Sequence, residues 1–185
     1  MTFIQTHTGK LMDLANPKVE GIDIEDIAQS LSTLARFNGH IKYFYTVAEH
    51  SIWVADRLMP EIAIYGLLHD AHEAYIGDIT TPVAELIGKE KVNEYKNKIQ
   101  NVIHEAFGLK SPCVYVNQIV KNQDINALFV EKRDLMLHDI EWPGGHINVE
   151  HEDKLFDLKS LCVEIKEDFM FKFQLYMSVR DGTYC

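Results

Sequence analysis

The pattern of apolar and polar positions divides the chain into a short alternating segment and a long helical one. Residues 3 to 14 alternate loosely around Thr8-Gly9, which is typical of a β-hairpin. Asn16-Pro17 interrupts this alternation, and beyond it apolar residues recur at steps of three and four. The sequence therefore predicts a small N-terminal hairpin followed by α-helices.

Capping and breaking residues delimit six predicted helices. Asp23 is suited to cap the first, whose apolar stripe continues to Ala35, and Thr46 with Glu49 forms a capping box for the second. The third begins at Pro60 and is expected to continue toward Ala74. The other helices are predicted over residues 89–107, over residues 115–137, and from Leu158 to Tyr176, with breaks between Gly77 and Pro82 and at Trp142-Pro143-Gly144-Gly145.

The length and composition agree with this pattern. A chain of 185 residues corresponds to a single domain, 1–185, and its 46% hydrophobic content is enough for a substantial core. We therefore expect a compact all-α helical bundle with the small hairpin at its N-terminus.

The charge balance limits the partners. The formal net charge is −10 at pH 7, so the surface repels the backbone of a nucleic acid polymer. A small anionic substrate remains compatible with this charge if a metal or a few basic residues line its pocket. No stretch is long and apolar enough to span a membrane, and the first ten residues lack the apolar run of a signal peptide.

The cysteines point to a reducing compartment. Cys113, Cys162 and Cys185 are odd in number, lie far apart and form no CxxC pair. We interpret them as reduced thiols of a cytoplasmic protein.

Two polar side chains interrupt apolar helix faces. Asp124 shares a predicted face with Val120 and Ala127, and His50 lies among apolar residues of its helix. A buried, unpaired carboxylate costs several kcal/mol, and a metal ion would remove that cost. Taken singly, each has a simpler explanation: a lone histidine is more often a hydrogen-bonded core residue, and Asp124 has Arg133 or a lysine as a potential partner.

The third predicted helix carries the more informative signal. Within Leu67 to Glu73, His69 and Asp70 are adjacent in an apolar helix, where two ionisable groups are rarely buried together. His69 and Glu73 are four residues apart, so they are predicted to share a helix face. A metal fits beside His69 and Asp70 if other helices complete its ligands.

A zinc-protease helix is a poorer explanation of the same residues. The segment from His72 to Ile76 begins like the HExxH motif but lacks the second histidine, and the segment from His104 to Gly108 lacks it too.

The order His50, His69-Asp70, Asp124 resembles the HD-domain metal-dependent phosphohydrolases. Three sequence segments are similar to those of phage dATP triphosphohydrolases and bacterial 5'-deoxynucleotidases. They are Arg36-Phe37-Asn38-Gly39-His40, Tyr45 to Ser51 and Leu68 to Asp78. The resemblance covers about residues 3 to 135. It implies a bundle in which a divalent transition metal (Zn, Co or Mn) is held by four side chains: His50, His69, Asp70 and Asp124.

The resemblance also implies roles for residues around the metal. Glu73 corresponds to the residue that activates or protonates at the reacting phosphate, and Asp78 to an acidic residue beside it. Arg36 and Lys121 correspond to phosphate contacts. Phe37 either stacks on the base or sugar of a substrate or fills the core, with core packing the default.

Several functions fit these expectations. The first is hydrolysis of a deoxynucleotide at its 5'-phosphate, with dATP cleaved to deoxyadenosine and triphosphate. The alternatives are a 5'-deoxynucleotidase acting on deoxynucleoside monophosphates and a non-catalytic, metal-bound interaction module. If the chain is phage-encoded, the cytoplasm is that of a bacterial host.

A homo-oligomer is expected from the resemblance and from the last helix. Phe169, Phe171, Phe173 and Tyr176 lie on more than one of its faces, which usually means burial on several sides. The alternative is that this helix lies at the centre of the monomer core.

Overall fold

The fold is predominantly helical. A computed structural model of the protein describes residues 1–143, 145, 147–150, 152, 155 and 161–180. It is 58% helical and 5% strand, with eight α-helices and one two-stranded antiparallel sheet in the described part. The prediction of an all-α fold with a small N-terminal hairpin is therefore confirmed.

The hairpin lies at the start of the chain. Strand β1 (Phe3–Gln5) pairs with β2 (Leu11–Asp13), with Ile4 opposite Met12. Its turn is tied to the first helix, because the backbone N–H and the hydroxyl of Thr8 both donate to the Asp26 carboxylate, at 2.6 and 2.9 Å.

The helices follow in chain order. They are α1 (Ile24–Leu31), α2 (Val47–Ala55), α3 (Ala63–Leu67), α4 (Glu73–Ile76), α5 (Thr81–Ile87), α6 (Lys89–Ala106), α7 (Val114–Leu135) and α8 (Cys162–Val179). Asp23 caps α1, and Thr46 with Glu49 forms the predicted capping box of α2. Leu158 and Gly144, named in the sequence predictions, lie outside the described residues.

The first helix is shorter than its apolar stripe predicts. It ends at Leu31, and Ala35 instead forms a bridge to Thr46, while the Arg36 N–H donates to the Tyr45 carbonyl at 3.0 Å. The intervening 3₁₀ turn, Arg36–Gly39, holds Phe37 in the left-handed region with φ 53°. This turn returns the chain to the start of α2 and carries Arg36 with it.

The third predicted helix is broken in two. Residues 68–72 form a turn between α3 and α4 rather than continuing the helix. The side-chain amide of Gln100 on α6 donates to the Leu68 carbonyl at 2.8 Å. The Leu68 carbonyl also accepts the Ala71 N–H at 3.0 Å within the turn, so the bond from Gln100 is a second contact that ties the turn to α6.

The loop predicted between Gly77 and Pro82 is shorter than expected. Pro82 lies in the first turn of α5, where proline is favoured because that backbone N–H has no helical partner. Gly88, with φ 112°, ends α5 and starts α6.

The core has two parts on either side of α2. In the first, α8 packs against α1, α2 and α3 around Phe169, which is fully buried. In the second, Trp53 of α2 packs against α7 residues such as Val116 and Val130. Most aromatic residues of α8 face this monomer core, although Phe171 is 62% exposed. The homo-oligomer stays a prediction. None of the described helices is both long enough and apolar enough to cross a membrane.

Phe169 and Phe171 give a matched test of this core. Phe169→Ala leaves a cavity at the contact of α8 with three helices, so we expect a loss of about 3–5 kcal/mol in the free energy of unfolding. Phe171→Ala removes an exposed ring and should change it by less than about 0.5 kcal/mol. Denaturant unfolding followed by circular dichroism measures both, and equal losses would contradict this placement of α8.

Candidate metal centre

Four side chains from three parts of the fold meet at one place. His50 lies on α2, His69 and Asp70 lie on the turn between α3 and α4, and Asp124 lies on α7. The Nε2 atoms of His50 and His69 are 3.2 Å apart. Asp124 Oδ1 is 3.2 Å from His50 Nε2 and 3.8 Å from His69 Nε2. Asp70 Oδ2 is 3.1 Å from His69 Nε2 and 3.7 Å from His50 Nε2.

These separations suit a metal ion. Ligand bonds of ~2.0–2.2 Å place neighbouring donor atoms about 3–4 Å apart, which is the range found here. His50, His69 and Asp124 each offer a ligand atom within 4.8 Å of the others. The structure therefore brings His, Asp and Glu groups into positions that can hold a metal ion.

Hydrogen bonds orient both imidazoles for ligation. His50 Nδ1 lies 2.6 Å from Glu131 Oε1, and His69 Nδ1 lies 2.7 Å from the Gly66 carbonyl. With Nδ1–H donating to these acceptors, the lone pair of each Nε2 faces the cluster. Metal-bound histidines usually have such a partner on the other ring nitrogen.

The charges of the cluster compensate one another. Burial by itself would lower the pKa of His69, but Asp70 and Asp124 outweigh it and raise the pKa well above its usual range. Burial would raise the pKa of Asp124, but His50 and His69 hold it below its usual range. The raised pKa means that His69 binds a proton more readily when no metal is bound, so a metal at His69 competes with that proton.

The sequence prediction that His69 and Glu73 share one helix face is wrong. The helix is interrupted between them, so His69 and Asp70 lie on a turn and Glu73 is the first residue of α4. The turn is what allows adjacent side chains to reach the same point, since neighbours on a regular helix diverge.

Glu73 is buried beside the cluster. It is 3% exposed, its Oε2 has no hydrogen-bond partner in the described part of the chain, and its Oε1 lies 3.5 Å from Lys96 Nζ. Burial, with Asp70 and Asp78, raises the pKa of Glu73 to about 9. Its carboxyl therefore holds a proton at neutral pH when no metal is bound. Asp78 is half-buried, and burial raises its pKa as well.

A second set of potential ligands adjoins the first. Asp70, His72 and Glu73 also offer ligand atoms within 4.8 Å of one another. His72 is buried, and its Nε2, like Glu73 Oε2, has no partner among the described residues.

The predicted phosphate contacts lie in different surroundings. Arg36 is largely buried and forms an ion pair with Glu131 at 2.8 Å, so it is not a free cation at the surface. Lys121 is exposed on α7, one turn before Asp124. Phe37 is half-buried against the α2–α7 core, with its ring centroid 6.1 Å from that of Trp142.

Three residues of the site were missed by the sequence interpretation. Glu131 is fully buried between His50 and Arg36. Its signal was present, because it follows Asp124 by seven residues and so lies on the same face of α7. Lys96 and Gln100, both on α6, approach the site only through tertiary packing.

The fold and the cluster define a class of helical protein with a partly buried His/Asp site of metal-ligand spacing. The chain is 41% identical over 144 residues to the uncharacterized protein YfdR of Escherichia coli strain K12, across 77% of this chain and 78% of YfdR. An uncharacterized protein of Rhodobacter capsulatus is 41% identical over 111 residues, 55% of this chain and 56% of that protein. No protein-family model matches the chain. This chain belongs to the same family as YfdR.

Glu131 offers a test of the metal centre that needs no substrate. Glu131→Gln removes the negative charge that orients His50, and we expect metal affinity to fall about 10–100-fold, as for other partners of metal-bound histidines. Competition with a chromophoric chelator measures the affinity. Glu105→Gln, at an exposed position on α6, is the control and should bind like the wild type. Unchanged affinity in Glu131→Gln would mean that no ion binds at His50.

Proposed function

We propose that this protein is a metal-dependent deoxynucleotide phosphohydrolase of the HD superfamily. It cleaves at the 5'-phosphate, with dATP converted to deoxyadenosine and triphosphate. The observation that carries the proposal is the meeting of His50, His69, Asp70 and Asp124 at one point, with buried Glu73 beside them.

The ligand set favours a borderline transition metal. Two imidazoles and two carboxylates suit Zn, Co or Mn. When bound by His50, His69, Asp70 and Asp124, such an ion would supply an activated water and would polarise a phosphoryl oxygen.

Glu73 is suited to handle the proton of the reaction. As a protonated carboxyl it adds no further negative charge to the site. It is suited to donate its proton to the sugar 5'-oxygen, which is the leaving group. A cation near Asp70 would lower the pKa of Glu73 from about 9 toward neutrality, where proton transfer is most effective. Half-buried Asp78 adds a second acidic group on the same side.

Cations around the site suit a phosphate ester. Lys96 lies beside Glu73, and exposed Lys121 lies one turn from Asp124. Arg36 is also near the cluster, but Glu131 compensates its charge. In a protein of net charge −10, this local positive charge favours binding of a small phosphate compound and offsets charge that develops on the phosphoryl oxygens.

A nucleotide panel tests the substrate. The metal-loaded protein is incubated with dATP, dGTP, dCTP, dTTP, ATP and the matching monophosphates, and the products are separated by chromatography. We expect deoxyadenosine and triphosphate from dATP and slower turnover of ATP, since selectivity for deoxyribose requires a pocket that rejects the 2' hydroxyl.

Each other result of the panel changes the proposal. Activity on monophosphates alone would make the protein a 5'-deoxynucleotidase. Equal rates with ATP and dATP would contradict selectivity for the deoxyribose. A metal-loaded protein that hydrolyses no nucleotide would instead fit a non-catalytic, metal-bound interaction module.

Glu73→Gln tests the proton-transfer role. The variant keeps the shape of the side chain but cannot exchange a proton, so we expect the turnover rate to fall about 10²–10⁴-fold while the metal at His50 is retained. Glu94→Gln, at an exposed position on α6, should turn over at the wild-type rate. Wild-type turnover by metal-loaded Glu73→Gln would refute the role.

A further inference from the structure

Two buried ligand atoms next to the metal centre have no partner within the described part of the chain. They are His72 Nε2 and Glu73 Oε2, on residues 6% and 3% exposed. The same two residues and Asp70 each offer a ligand atom within 4.8 Å of the others. Unsatisfied polar atoms in a buried site are rare and point to a missing ion or water.

The tautomer of His72 makes its free nitrogen a ligand. Gln100 Oε1 lies 3.1 Å from His72 Nδ1 and 3.3 Å from the His72 backbone N–H, while Gln100 Nε2 donates to the Leu68 carbonyl. The amide oxygen must therefore accept from Nδ1–H, which leaves a lone pair on Nε2. The same amide donates to His104 Nε2 at 3.1 Å, so the unpartnered nitrogen of His104 is an N–H donor and not a ligand.

Protonation of Glu73 does not explain why both His72 Nε2 and Glu73 Oε2 are without a partner in the described part of the chain. Protonation of Glu73 would remove its charge, and Lys96 already approaches Glu73 at its other oxygen, Oε1. Neither supplies a partner for His72 Nε2. A divalent cation would satisfy His72 Nε2 and Glu73 Oε2 at once.

We propose that Asp70, His72 and Glu73 form a second divalent-cation site that shares Asp70 with the first. The inference rests on the proposed function in that Asp70 also binds the ion at His50. A carboxylate shared by two ions is compatible with the spacing of ~3.5–4 Å found in two-metal sites. One imidazole and two carboxylates suit Zn, Mn or Co.

The second site binds more weakly than the first. Lys96 lies 3.5 Å from Glu73, and an ion held by His50 and His69 adds further positive charge nearby. Both repel a second cation, whereas the first site offers two imidazoles, one more than the second. The two sites therefore fill in order as the metal concentration rises.

Occupation of this second site inhibits hydrolysis. A Glu73 carboxylate that binds an ion cannot at the same time accept or donate the proton of the reaction. Excess metal is therefore expected to lower the turnover rate.

Metal stoichiometry gives the first test. The protein is stripped with a chelator and dialysed against increasing Zn or Mn, and bound metal is measured by elemental analysis. We expect two ions per wild-type chain, one ion in His72→Leu, and two in His104→Leu, a matched control because His104 is equally buried and bonds the same glutamine. One ion in the wild type, or two in His72→Leu, would overturn the proposal.

A spectroscopic test on the wild type remains available if His72→Leu does not fold. Two Mn ions that share a carboxylate are magnetically coupled, so the electron paramagnetic resonance spectrum should change from that of an isolated ion to that of a coupled pair as the second ion binds. A spectrum of independent ions at two equivalents would place the second ion elsewhere and contradict the shared Asp70.

Activity separates this inference from the proposed function. We expect wild-type turnover to rise with the first ion and to fall severalfold with the second, whereas the turnover of His72→Leu, measured relative to its own rate with one ion, does not fall as the metal concentration rises. Hydrolysis with one bound ion and no second binding would overturn the second site alone. A protein that binds no ion at all would overturn the proposed function as well.

Discussion

A buried carboxylate holds together the parts of the chain that form the site. Glu131 is fully enclosed, and it accepts hydrogen bonds from both His50 on α2 and Arg36 on the 3₁₀ turn. A charge in this position is costly unless it is paired and hydrogen-bonded, and removing either partner would leave the other buried and uncompensated. The positions of α2, α7 and the 3₁₀ turn are therefore coupled, and His50 cannot move independently of Arg36.

The broken helix between α3 and α4 supplies the second constraint. A continuous helix would direct His69 and Asp70 apart, whereas the turn places Nε2 and Oδ2 3.1 Å from each other. Gln100 bonds the Leu68 carbonyl at the start of this turn and His72 at its end. One side chain of α6 thus contacts both ends of the turn that carries the ligands. Its bond to His72 also fixes the tautomer of that histidine.

Electrostatics link the two constraints to chemistry. Asp70 and Asp124 raise the pKa of His69, His50 and His69 lower the pKa of Asp124, and burial with neighbouring carboxylates raises the pKa of Glu73 to about 9. A cation at the cluster would compete with a proton at His69 and would release Glu73 to exchange its own. The site is therefore arranged so that metal binding and the protonation of Glu73 depend on each other, as expected for groups that share a buried region of low dielectric.

The sequence alone determined the helical class of the fold and the residue types of the candidate site. Periodicity and caps predicted the hairpin and helices α1, α2, α6 and α7, because these signals are local. Polar residues on apolar faces singled out His50 and Asp124. Burial around the site arises from contacts between segments that are distant in the chain. The sequence therefore did not reveal that Arg36 is largely buried and paired with Glu131.

Only the tertiary structure decided where the third helix breaks. Gln100, about thirty residues further along the chain, ties the turn at the break to α6. Just before the break, α3 packs closely on α2 at Gly66, where an added Cβ would lie 3.1 Å from Ala55 Cα. The roles of Glu131 and Lys96 likewise follow from the packing of α7 and α6 against the site. Local patterns specify which residues can be buried, but which buried charges meet is decided by the assembled helices, since each charge must find its partner there.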